Sequence, residues 1–131
     1  MVKHSVFDDQ SFFMQACGQS VSLENRSQYL LYRSLMAEEM GELIDADTKD
    51  DIIEQADAII DILVVTIGAG LSLGLPMQQL WDEVRRSNFS KIDAATGKVK
   101  KREDGKVLKP EGWKAPQIME VLKENKWLNQ Q

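Results

Sequence analysis

Residues 36–68 read MAEEMGELIDADTKDDIIEQADAIIDILVVTIG, two helical patterns joined by a short polar turn. In the first pattern Glu39 and Glu42 stand three residues apart; in the second, Glu54, Asp57 and Asp61 stand at i, i+3 and i+7. At about 100° per residue, each spacing gathers its carboxylates on one helical face. Tyr29, Tyr32, Met36, Glu39 and Leu43 advance by 3, 4, 3 and 4, so Glu39 falls inside a stripe expected to face the core. The line Glu54, Asp57, Asp61 continues into Val64 or Val65 and then Gly68. Carboxylates on an inward face are costly, and a partner, a proton or a metal normally neutralises them.

Working outward, the first of these helices is expected to start at residues 22–25 and run to about residue 46, and the second to cover about residues 51–73. Only eleven positions, 43–53, separate Glu42 from Glu54, so the helices are antiparallel neighbours and the acidic pairs meet near one end. Upstream, Asp8 or Asp9 caps a short helix carrying Phe12, Phe13, Ala16 and Cys17. His4 reads as a surface residue. Downstream, Pro76 opens a fourth helix with Leu80, Trp81 and Val84 as its inward stripe, extended by Asn88 and Lys91.

Periodicity stops after Lys91. Residues 94–116, AATGKVKKREDGKVLKPEGWKAP, are rich in turn formers and bases, and Asp104-Gly105 predicts a small hairpin with a type I′ turn. Residues 116–128 predict a short terminal helix with Ile118, Met119, Val121, Leu122 and Trp127 available for docking. The expectation is a single all-α domain over residues 1–131. Its helical core spans about 22–91, its basic loop or hairpin 92–115, and its last helix 116–128.

Composition narrows the function. With 131 residues, 43% of them hydrophobic, the chain suffices for one core. The single cysteine, Cys17, excludes an internal disulfide and a cysteine zinc site, and the sequence shows no signal peptide, so a cytoplasmic location is expected. Residues 58–75 are apolar, but Asp61, three glycines and Pro76 fit a buried bundle helix better than a membrane span. The net charge of −5 is unevenly spread: residues 85–114 hold ten bases and four acids, a net +6, leaving six bases and 17 acids, a net −11. An acidic body is poorly suited to nucleic acid. It suits a cation on the acids, with phosphates held between cation and bases.

Magnesium takes hard oxygen ligands and keeps waters and substrate phosphates in its shell, so acids from two facing helices are a reasonable platform for it. No histidine lies in the cluster, which argues against zinc or a di-iron site. The bland alternative is that these acids form a solvated face.

Glu39-x-x-Glu42, eleven residues, then Glu54-x-x-Asp57 resembles the ExxE…ExxD signature of the all-α nucleoside triphosphate pyrophosphohydrolases. ADAIIDILVVTIGAGLSLGLP, EVRRSNFSKID and REDGKVLKPEGW are similar to a MazG-like branch often named phosphoribosyl-ATP pyrophosphohydrolase-like. The resemblance covers roughly residues 29–116 and leaves the N-terminal part unmatched. It implies that Glu39, Glu42, Glu54 and Asp57 bind Mg²⁺, with Mn²⁺ able to substitute, and that Asp61 assists a metal or a water. Glu38 or Glu39 would orient the attacking water. Asn88 and Lys91 match positions that approach the sugar and phosphates. Lys98, Arg102, Lys106, Lys109 and Trp113 of the basic tail are expected to join them, with Trp113 packing or stacking near a base.

The implied reaction is cleavage of a nucleoside triphosphate between its α and β phosphates, in nucleotide-pool housecleaning. The implied assembly is a homodimer or dimer of dimers in which helical hairpins complete a four-helix bundle, consistent with an apolar third helix. Phosphoribosyl-ATP hydrolysis in histidine synthesis is the alternative within enzymology. A non-catalytic nucleotide- or partner-binding helical module is the alternative outside it.

Overall fold

The computed structural model describes residues 4–130. Five α-helices appear in order: α1 Val6–Ala16, α2 Arg26–Thr48, α3 Ile52–Ser72, α4 Met77–Phe89 and α5 Ile118–Glu124, followed by a 3-10 turn over Trp127–Gln130. Among the described residues there is no strand, only two isolated antiparallel bridges, so the all-α expectation holds. The chain divides into two compact units, one through Met77 and the other Gln78–Asn129.

Local chemistry sets the helix starts in the first unit. The Asn25 side chain accepts a hydrogen bond from the Gln28 amide at 3.1 Å, and Asp51 accepts from the amides of Ile53 and Glu54 at 3.1 and 3.2 Å. Each satisfies donors that the first helical turn leaves free. The cap of α1 corrects the sequence expectation: Ser5 accepts from the Asp8 amide at 3.1 Å. Asp8 and Asp9 instead lie in the first turn, where their charge favours the helix N-terminus. Between α2 and α3 the chain reverses through Asp50, in the left-handed region at φ 50°.

The two long helices pack against each other around Tyr32, Ala69 and Leu71, and α1 contributes the fully buried Met14. Gly68 decides how closely they approach. A β-carbon there would stand 2.9 Å from Cζ of the Tyr32 ring and closer still to Cδ1 and Cε1. The Tyr32 hydroxyl donates to Gln19 Oε1 at 2.6 Å. Gln28 donates to the Ser20 carbonyl and to Ser72 Oγ, both at 2.8 Å, while Ser72 donates back to the Gly68 carbonyl at 2.7 Å. These bonds fasten the start of α2 to the end of α3. Towards the turn, the buried Ala46 and Ala58 keep the pair narrow.

The faces of α2 and α3 turned away from this core remain apolar: Leu30, Ile44, Ile53, Ile60 and Leu63 are each at least half exposed. No single helix among the described residues is long and apolar enough to cross a membrane.

In the second unit, Leu80 and Val84 of α4 are half-buried as expected, but Trp81 is 59% exposed and does not lie on the inward stripe. Ser87 is buried and donates to the Lys114 carbonyl at 3.0 Å. Trp113 Nε1 donates to the Ser87 carbonyl at 3.2 Å. The expected hairpin forms, with bridges Ile92–Val99 and Lys101–Val107, but its turn is not type I′. Gly105 donates to the Arg102 carbonyl at 2.9 Å, and of the central pair only Gly105 has positive φ, at 88°. A type I′ turn needs positive φ at both central residues; here the left-handed glycine closes a longer loop. The terminal helix is also shorter than expected. It ends at Glu124, and Lys126 at φ 58° turns the chain into the 3-10 segment.

Candidate functional site

Antiparallel packing carries α2 and α3 past each other so that Tyr32 meets Gly68. Glu39 lies seven residues beyond Tyr32, and Asp61 seven residues before Gly68, so the same two turns separate both pairs. Glu39 is half-buried on the inner side of α2, and its Oε2 is the one buried side-chain oxygen among the described residues without a hydrogen-bond partner. Desolvation of this carboxyl raises its pKa above the ordinary value, and Glu42, Asp61 and Glu38 push it further in the same direction. Glu42 acts both through its charge and as a hydrogen-bonding neighbour. An unpartnered buried oxygen under the charge of neighbouring carboxylates is an unfavourable arrangement.

Asp61 is half-buried, and its charge acts on Glu39 across the helix pair. Glu54 and Asp57 are exposed, which corrects their expected position on the inward face; that stripe is kept by Asp61, Val65 and Gly68. They lie on α3 between Asp61 and the turn. Among the described residues, no three acidic, histidine or cysteine side chains stand in an arrangement that could hold a metal ion. The donor chemistry nonetheless fits a hard divalent cation: the acids supply oxygen only, and Glu39 offers one oxygen that nothing else satisfies.

The expected phosphate-binding residues lie in the second unit. Asn88 is exposed and accepts from Lys91 Nζ at 3.2 Å. Lys91 and Lys109 hold their ammonium groups over the Trp113 ring, 5.4 and 4.6 Å from its centroid. Trp113 therefore packs against two lysines and is anchored by its own N–H. Arg102 is tied to Asp104, with Nε 3.0 Å from Oδ1, so its charge is engaged at the hairpin turn. Lys98 and Lys106 are exposed on the same hairpin.

A hollow of about 180 Å³ is lined by Lys91, Lys100 and Lys109, two of which also hold their ammonium groups over Trp113. Of these, Lys100 was not singled out by the sequence. Its position between Val99 and Lys101 in an alternating stretch is the signal that could have marked it, because alternation turns it away from both neighbours. Ser87, which anchors Trp113, carries no sequence signal of its own.

A search of curated proteins gives no match to the chain. A family model described as phosphoribosyl-ATP pyrophosphohydrolase matches residues 18–88, just over half of the chain, and so spans both acidic helices and most of α4. The chain therefore belongs to the phosphoribosyl-ATP pyrophosphohydrolase family of the all-α, MazG-like superfamily, hydrolases of phosphoric anhydrides that work with divalent metal ions.

Proposed function

We propose that the chain is a Mg²⁺-dependent nucleoside triphosphate pyrophosphohydrolase that cleaves between the α and β phosphates, clearing unwanted nucleotides. The observation that carries this reading is the buried, unpartnered Oε2 of Glu39 among carboxylates contributed by two helices. Glu39, Glu42 and Asp61, with Glu54 and Asp57 nearer the turn, would hold the ion. It would supply charge neutralisation on the phosphoryl oxygens and a more acidic bound water.

The chain's own groups then have defined tasks. Whichever of Glu38 and Glu39 is not fully used as a ligand orients the attacking water and accepts its proton. The water oxygen joins one phosphorus of the α–β anhydride, and the bridging bond breaks. A nucleoside monophosphate and pyrophosphate result. Asn88, Lys91 and the tail residues Lys98, Arg102, Lys106, Lys109 and Trp113 contribute substrate binding, with the bases offsetting charge on the polyphosphate. Two copies are proposed to pair the exposed apolar faces of α2 and α3 into a four-helix bundle, as a homodimer or a dimer of dimers.

The family description favours a second substrate, phosphoribosyl-ATP, cleaved at the same anhydride. One experiment tests both: pyrophosphate release, with and without Mg²⁺, from phosphoribosyl-ATP and a panel of ribo- and deoxyribonucleoside triphosphates. Mg²⁺-dependent release from several triphosphates supports the main reading, and release from phosphoribosyl-ATP alone supports the second. Release from none refutes both.

A further inference from the structure

The hollow lined by Lys91, Lys100 and Lys109 is built entirely by residues of the second unit. The turn just after α4 supplies Lys91, the middle of the hairpin Lys100, and the segment leading to Trp113 supplies Lys109. Backbone bonds fix each wall: Asp93 donates to the Lys98 carbonyl, and Leu108 to the Lys100 carbonyl, both at 2.8 Å. Three lysines line this one concavity, and among the described residues none of them forms an ion pair. The Trp113 ring attracts two of them to its π-electrons. Trp113 is in turn held by Ser87. The lysines are thus pre-arranged without being neutralised.

Two acids also line the hollow, Asp93 and Glu111. Asp93 Oδ1 is occupied by the amides of Ala95 and Thr96, at 2.8 and 3.3 Å, and so is committed to its own turn. Asp93 and Glu111 both keep a negative charge on the wall, two acids against three bases.

We propose that this hollow is a pyrophosphate subsite, in which Lys91, Lys100 and Lys109 bind inorganic pyrophosphate or the terminal diphosphate of a nucleotide. A volume of about 180 Å³ has room for several waters or for a group of that size. Three ammoniums match a compact anion carrying several charges better than they match a singly charged carboxylate. The proposal deepens the pyrophosphohydrolase reading and rests on it only for the source of the anion. The binding itself needs neither the acidic helices nor a metal.

The test is calorimetric titration of inorganic pyrophosphate into the full chain in the presence of a chelator. Binding by the wild-type chain is expected. It should weaken roughly tenfold or more in Lys100→Gln and in Lys109→Gln, the loss of one charge-assisted hydrogen bond each. Lys101→Gln, on the same hairpin but outside the hollow, should change it little, and Glu111→Gln should tighten it. Absence of binding by the wild-type chain overturns the subsite. So does an equal loss in Lys101→Gln, which would mean diffuse attraction to a basic segment. Nucleotide turnover is a separate readout: a chain that binds pyrophosphate but hydrolyses no nucleotide keeps the subsite and loses the proposed reaction.

Discussion

Replacing Gly68 with alanine tests the geometry on which the acidic site depends. Two effects oppose each other. In a helix interior, alanine is favoured over glycine by about 1 kcal/mol, so at an indifferent position the change would stabilise. At Gly68, however, the new methyl group meets the Tyr32 ring, which is 6% exposed and held at its hydroxyl by Gln19. Forcing an extra carbon into a packed contact costs about 1–3 kcal/mol. The overlap involves ring atoms rather than the end of a flexible chain, so the upper part of that range applies, and the net loss is about 1–2 kcal/mol. For a chain of this size that is about 3–6 °C in Tm. Urea unfolding followed by helical circular dichroism gives the free energy directly. The decisive comparison is the same substitution in a Tyr32→Ala background, where the obstruction is gone and alanine should stabilise by its helix preference alone. A Gly68→Ala chain more stable than wild type would refute the close approach of α2 and α3, and with it the juxtaposition of Glu39 and Asp61.

Glu39→Gln removes a charge that the metal-free protein accommodates badly, so it should stabilise the chain in chelator while abolishing turnover; destabilisation would show that the carboxylate is structurally required. Asp51→Ala deletes the acceptor for two amides at the start of α3 and should cost about 1 kcal/mol in urea unfolding. Glu83 carries a pH dependence. Its hydrogen bonds with the Arg86 side chain and then the Gln117 amide lower its carboxyl from 4.5 to about 2. The stabilisation is therefore complete above about pH 4.5 and lost as the pH falls towards 2, and Glu83→Gln should flatten that part of an acid-unfolding profile.

The helical hairpin was legible because its signals are local. Asn25 and Asp51 cap where a polar residue precedes an apolar repeat, and Tyr29, Tyr32, Met36 and Glu39 keep the inward stripe that their spacing describes. Periodicity failed where a helix has no distinct polar face. The apolar run of α3 fits several rotations about its axis, and the structure selects the one that buries Gly68, Val65 and Asp61, leaving Glu54 and Asp57 exposed. Turn chemistry was read correctly at Asp104-Gly105 but not its type, because the left-handed glycine alone suffices for the longer loop. Trp81 was misplaced because an aromatic at helical spacing need not face inward. Lys100 stayed hidden because its meaning comes from neighbours on either side of it, Lys91 and Lys109, that only the folded hairpin brings together.

In polymer terms, the basic segment is a loop tied at both feet. The carbonyl and hydroxyl of Ser87 take hold of Trp113 and Lys114, and a carboxylate oxygen of Glu83 holds the Gln117 amide. The entropy of closing such a loop grows only with the logarithm of its length, about 0.6 kcal/mol for each doubling. Residues inserted at the exposed Gly97 turn should therefore be absorbed cheaply. Untying a foot is different. Ser87→Ala would remove the hydroxyl that holds the Lys114 carbonyl and loosen one tether of the lysine-bearing loop, leaving the backbone carbonyl at position 87 to hold Trp113 alone.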